Sequence, residues 1–240
     1  CWDCGRMRDS SSSDPGWLRL LAALLLVLLA AGALASAVAA VRYPGGTWMD
    51  RRTEGHSFWG NFLCDIARDR ALDGRPHPAA VWGRAAEWVL VVALGLFFWI
   101  VPALIAPRRR QATVRLLGTV GTLGLMLVPV TSGVPHALAL IAGAGPGFTA
   151  TVLVLRGLRH RPALAGLGVL ALVLSAVELA LFLGFSERFG TTTMPAAVPA
   201  VQRLALLASV AWMGASAIAV LRGQVGEVAP DASTGSPRAT

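Results

Sequence analysis

Six apolar runs divide the chain, at residues 17–41, 85–106, 113–131, 137–157, 163–184 and 198–221. Each comes close to or exceeds the roughly 20 residues that a helix needs to cross a bilayer. The runs are continuous rather than alternating, which is the pattern of spanning helices and not of half-buried strands. They predict an all-α polytopic membrane protein. Six transmembrane helices make one domain over 17–222, between a flexible tail at 1–16 and a disordered tail at 223–240.

The longest polar stretch between the runs is the first loop, 42–81. Within it Ser57 can cap a helix over Ser57–Arg70. Phe58, Trp59, Phe62, Leu63 and Ile66 would fall on one side of that helix, and Asp65, Arg68 and Asp69 on the other. Such a helix lies in the membrane interface. Tyr43-Pro44-Gly45-Gly46 reads as the turn that closes the first spanning helix. In the third run, Gly118, Gly121 and Gly124 make a smooth packing face. In the fourth, Gly143–Gly147 contains Pro146, which predicts a kink or local unwinding.

Composition supports this picture. The chain has 240 residues, 55% hydrophobic and 14% charged, too little charge to cover a soluble domain of that size. The net charge of +8 is carried by arginine, with no lysine. The arginines sit at helix ends and in loops without an aromatic platform, so nucleic acid is not an expected partner. Arg108, Arg109, Arg110 and Arg115 cluster around one short connection, and Arg156, Arg159 and Arg161 around another. The positive-inside tendency puts those connections and both termini in the cytoplasm. The first loop then lies outside, where its six arginines face five acids. A cleaved signal peptide ending near Ala35-Ser36-Ala37 is the competing reading of the first run.

Candidate chemistry is sparse. Cys1 and Cys4 form a CxxC with no second pair. The scattered histidines and carboxylates show no HxxxH or HxxE spacing, so no metal and no cofactor are expected. Ionisable groups inside apolar runs are costly and mark sites or structural pairs. Glu87, Glu178 and Arg203 are of this kind, and Glu178 and Arg203, at matching depth on consecutive helices, are expected to pair. With His56, Asn61 and Asp65 of the first loop and His136 at the start of the fourth helix, they make up the candidate ligand-binding set.

Tyr43-Pro44-Gly45-Gly46, followed by Asn61-Phe62-Leu63-Cys64-Asp65-Ile66, resembles bacterial six-helix membrane proteins of the DRAM/Frag/Sfk-type group. The resemblance covers the helix count and this loop. Cys64 stands where serine is commoner, and the loop is longer and more charged. The likeness implies a multi-pass protein that senses or organises lipid.

The expected function is binding of a lipid or small amphiphile at an outward polar cluster, by a protein that is not an enzyme. Membrane lipids are the expected partners, with homo- or hetero-oligomers through Gly/Ala-rich helix faces. A metal-dependent lipid hydrolase and a small transporter are the alternatives. The last run has no histidine, which weighs against the hydrolase. The Gly-Pro break favours the transporter, and the scarcity of midplane charge weighs against it.

Overall fold

The computed structural model describes residues 16–105, 107–131, 133–185, 195 and 197–225. Both expected tails, apart from a few residues at their inner ends, and nearly all of the 185–197 connection lie outside that range. The described chain forms six helices, each long and apolar enough to cross a membrane, so the protein is a multi-pass membrane protein. They are α1 (Gly16–Val41), α2 (Ala80–Ile100), α3 (Arg108–Leu125), α4 (Gly133–Gly157), α5 (Pro162–Phe185) and α6 (Ala197–Leu221). Short 3₁₀ turns, Val101–Leu104 and Val128–Val130, extend α2 and α3.

Some boundaries differ from the apolar runs for physical reasons. Helix α2 starts at Ala80, just after Pro78, which does not continue a helix backwards. The arginine triplet begins α3, with Pro107 just before it. A polar helical turn is invisible to an apolar count.

The helices pack as three hairpins, α1 with α2, α3 with α4 and α5 with α6, and α6 closes against α1. Contact between α4 and α5 is the sparsest among chain neighbours. The core holds Leu18, Leu25, Phe97, Phe98, Trp212 and Ala217, all buried. The glycines of α3 serve two partners. A Cβ at Gly118 would lie 2.3 Å from Phe98 Cβ on α2, and one at Gly121 would lie 2.9 Å from the Gly143 carbonyl on α4. These small residues let backbones approach within the bundle. Helix α4 runs through Pro146 without unwinding, which removes one of the two expected outcomes. Proline removes one N–H only, and the glycines around it leave room for its ring.

The first loop is ordered and folded onto the bundle. Its helical segment is the 3₁₀ helix Leu63–Ala67, shorter than the expected Ser57–Arg70. Side chains compete for the backbone here. Ser57 Oγ accepts from the Gly60 N–H at 3.1 Å, and Asp65 Oδ2 accepts from the Phe62 N–H at 2.8 Å. The Tyr-Pro-Gly-Gly turn is the crossing point of the loop. The Gly46 N–H donates to the Thr53 carbonyl, the Gly55 N–H to the Pro44 carbonyl and the Asp73 N–H to the Gly45 carbonyl. Gly46 has a φ of +87°, and a Cβ there would meet the Asp73 nitrogen at 2.5 Å, so glycine is required. The loop sits hard on α2: a Cβ at Gly83 would come within 2.1 Å of the Ile66 carbonyl oxygen. Beside it, Arg84 donates to the Ala67 carbonyl at 3.0 Å and pairs with Asp69 at 2.8 Å.

Candidate functional site

The seven candidate residues separate into two layers. His56, Asn61, Asp65 and Arg203 form a buried polar network inside the folded loop. Glu87, His136 and Glu178 line a cavity of about 360 Å³ beneath it.

Arg203 anchors the upper layer. It projects from α6 into the loop and is 4% exposed. Its Nε donates to the Phe58 carbonyl at 3.1 Å, and its Nη2 donates to the Asn61 carbonyl at 3.2 Å. The same Nη2 lies 3.3 Å from His56 Nε2, and the guanidinium carbon stands 5.2 Å from the Phe58 ring centre. A guanidinium only donates, so His56 faces it with an unprotonated Nε2. Asn61, wholly buried, continues the network. Its Oδ1 accepts from the Ser57 N–H at 2.9 Å, and its Nδ2 donates to the Gly46 carbonyl at 2.9 Å and to Asp65 Oδ2 at 3.4 Å.

Asp65 was expected on the polar outer side of a helix. It is instead fully buried. Both its oxygens receive the Trp48 indole N–H at 3.2 Å. Burial raises its pKa, while the Phe62 N–H, Asn61 and Trp48 hold it down. The phenolic oxygen of Tyr43 takes the Leu72 N–H at 3.0 Å, and its ring meets those of His56 and His77 edge-on. Burial pushes the Tyr43 hydroxyl up to about 12, so it stays neutral.

The expected Glu178–Arg203 pair is not what forms. Consecutive residues on a helix point about 100° apart, and α6 uses that divergence. Arg203 faces the loop, and Gln202 faces α5. Gln202 Nε2 donates to Glu178 Oε1 at 3.2 Å, and Gln202 Oε1 accepts the Leu63 N–H at 2.7 Å. Gln202 therefore ties the loop to the cavity wall. Sequence reading passed over it, although an amide beside a buried arginine in an apolar run was a usable signal. Trp48, and Tyr43 beyond its place in the turn, were likewise missed as network members.

The cavity is bounded by α2 to α6 and roofed by Leu63 and Cys64 of the loop. Its ionisable and amide residues collect near the roof, namely Cys64, Glu87, His136, Glu178 and Gln202, while the hydroxyl residues Thr122, Thr151, Ser175 and Ser209 also line it. Below them Leu94, Phe97, Phe98 and Leu206 are apolar, with Trp212 and Met213 among the floor residues. Phe182 bridges the layers, edge-on to Phe62 of the loop at 5.9 Å and to His136 at 6.2 Å. His136 Nδ1 is 3.1 Å from the Val128 carbonyl, which can only accept, so Nδ1 carries the proton. Glu87 Oε2 and the Trp212 indole nitrogen are buried without a hydrogen-bond partner. The Cys64 thiol is pushed up, first by burial and then by Asp65 and Glu87, so it is not a thiolate nucleophile. Among the described residues, no three of His, Cys, Asp and Glu gather in a group that could hold a metal ion.

Compared with protein family models, curated proteins and solved structures, the chain matches none of them.

Two outcomes follow from this geometry. Replacing Arg203 by Met leaves the Phe58 and Asn61 carbonyls without a buried donor, at about 1–3 kcal/mol each. The loop should open more often, and maleimide should label Cys64 at least roughly tenfold faster. Glu178→Gln keeps an acceptor for Gln202 and should leave the rate near wild type. Equal acceleration by both changes would restore the rejected ion pair.

The second outcome concerns pH. Burial, followed by the positive charge of Arg203 and then by His77, lowers the His56 pKa from 6.5 to about 4. A depressed base contributes stability that is complete above its unfolded pKa and lost as pH falls toward its folded one. The window is therefore about pH 6.5 down to about pH 4. Asp65, raised by burial, opposes this trend because acid relieves its cost. The melting temperature of wild type should fall between about pH 7.5 and about pH 5. His56→Gln, which can still accept from Arg203, should show a smaller fall. An unchanged fall in that variant would remove His56 as the cause.

Proposed function

We propose that this membrane protein binds a lipid or small amphiphile inside its helix bundle, head group beneath the first loop and chain among the helices. The observation that carries the reading is the cavity itself, with its carboxyl groups at the roof and a mostly apolar lining below. Its volume of about 360 Å³ is at the low end of the roughly 300–1,000 Å³ typical of ligand pockets. That size suits a single-chain amphiphile or one chain of a larger lipid. The sparse contact between α4 and α5 supplies a lateral route from the bilayer.

In this reading the first loop faces the outside, and both termini face the cytoplasm. The support is the arginine bias at the opposite end of the bundle, where Arg108, Arg109, Arg110, Arg159 and Arg161 gather. The half-buried Cys64, at the cavity roof, is a poor reporter of sidedness. Arg52 is exposed and a better one. In a chain lacking Cys1 and Cys4, Arg52→Cys should react with an impermeant maleimide added to intact cells. Reaction only after lysis would reverse the orientation.

Binding is tested by native mass spectrometry of protein purified in mild detergent. Wild type should carry a small amphiphile as a mass adduct. Ala144→Trp, which fills the cavity from α4, should lose it while still melting cooperatively. A folded variant that retains the adduct would place the ligand elsewhere, and a bare wild-type protein would contradict the reading.

A further inference from the structure

The cavity has an imbalance that narrows the chemistry of its occupant. Among the described residues, two carboxyl groups, Glu87 and Glu178, line its roof end, and no arginine lines it. The nearest arginines are committed elsewhere: Arg203 to loop carbonyls, Arg84 to the Ala67 carbonyl and Asp69. Glu87 is 6% exposed, and its Oε2 has no hydrogen-bond partner. Glu178 receives the Gln202 amide on Oε1. His136 keeps its proton on Nδ1, toward Val128, which leaves Nε2 of the neutral ring as an acceptor. The head end is thus rich in acceptors and in potential negative charge, and no arginine stands among the described residues that line it.

A buried carboxylate is tolerated when it is paired and hydrogen-bonded. An anionic head would add a third negative group in a medium of low dielectric, where like charges are most costly. A quaternary ammonium would balance charge and still leave Glu87 Oε2 without a donor. A protonated amine does both, since it carries positive charge and three N–H donors. The cavity also reaches well below the head end. The indole N–H of Trp212, 4% exposed and unpartnered, belongs to a floor residue ten positions beyond Gln202 on α6, about 15 Å deeper.

We propose that the occupant is a single-chain amphiphile with a protonated amine head, held between Glu87 and Glu178 with its chain running toward Trp212. The inference rests on the binding reading above and assigns its ligand class.

The test uses the full chain in phosphatidylcholine nanodiscs, with protein-free discs subtracted. Radiolabelled dodecylamine is the probe. Unlabelled dodecylamine should displace it at roughly tenfold lower concentration than dodecanol, dodecanoate or dodecyltrimethylammonium. Glu87→Gln and Glu178→Gln should each weaken dodecylamine roughly tenfold and leave dodecanol unchanged. The competitor series on wild type stands without the variants should either fail to fold. If dodecanol or dodecanoate competes as well as the amine, the head assignment fails while the amphiphile reading survives. If the trimethylammonium equals the amine, N–H pairing to the carboxyls fails. If no probe binds saturably, both the assignment and the binding reading fall.

Discussion

Arg203 carries a permanent charge within an apolar helix, and that charge has to be solvated by something. It is solvated by the backbone of the first loop. The Phe58 and Asn61 carbonyls and the His56 ring nitrogen surround the guanidinium, and the Phe58 ring stands over it. Each of those groups would otherwise seek water. The loop therefore folds around the side chain, and the side chain is tolerable only because the loop is there. Asn61 extends the arrangement to Asp65, and Asp65 to Trp48, so one buried cation organises a polar core within the loop.

The neighbouring residue converts this anchor into an architecture. Gln202 bonds the loop at Leu63 and the cavity wall at Glu178. The roof and the polar lining are thereby held by two adjacent positions of α6 that point in different directions. Gly83 and Gly46 permit the rest of the fit, one by letting the loop lie on α2 and the other by letting the chain near Asp73 cross the turn. Loop, cavity wall and helix α6 are thus joined through the Gln202 amide.

The six spans were legible because bilayer thickness imposes run length, and run length is visible in a sequence. Helix ends were less so: the polar first turn of α3 and the small-residue start of α2 carry no apolar signal. The loop was misjudged where period was the guide. Phe58 and Asp65 fit a helical face, but Asp65 and Ser57 bond the backbone and hold the chain in turns, which periodicity does not encode. The candidate residues fall at one end of the bundle but divide between the loop network and the cavity wall. Depth along α5 and α6 matched Glu178 with Arg203, yet rotation about the helix axis decides partners, and rotation gave Glu178 to Gln202 instead.

The central claim, that the loop is docked as a structural roof, is tested most directly by hydrogen–deuterium exchange at the amides of Asn61, Phe62 and Leu63. These donate to the Ser57 carbonyl, Asp65 Oδ2 and Gln202 Oε1. A docked roof predicts exchange as slow as that of the buried amides of α2. Exchange at the rate of an unstructured peptide would contradict the account.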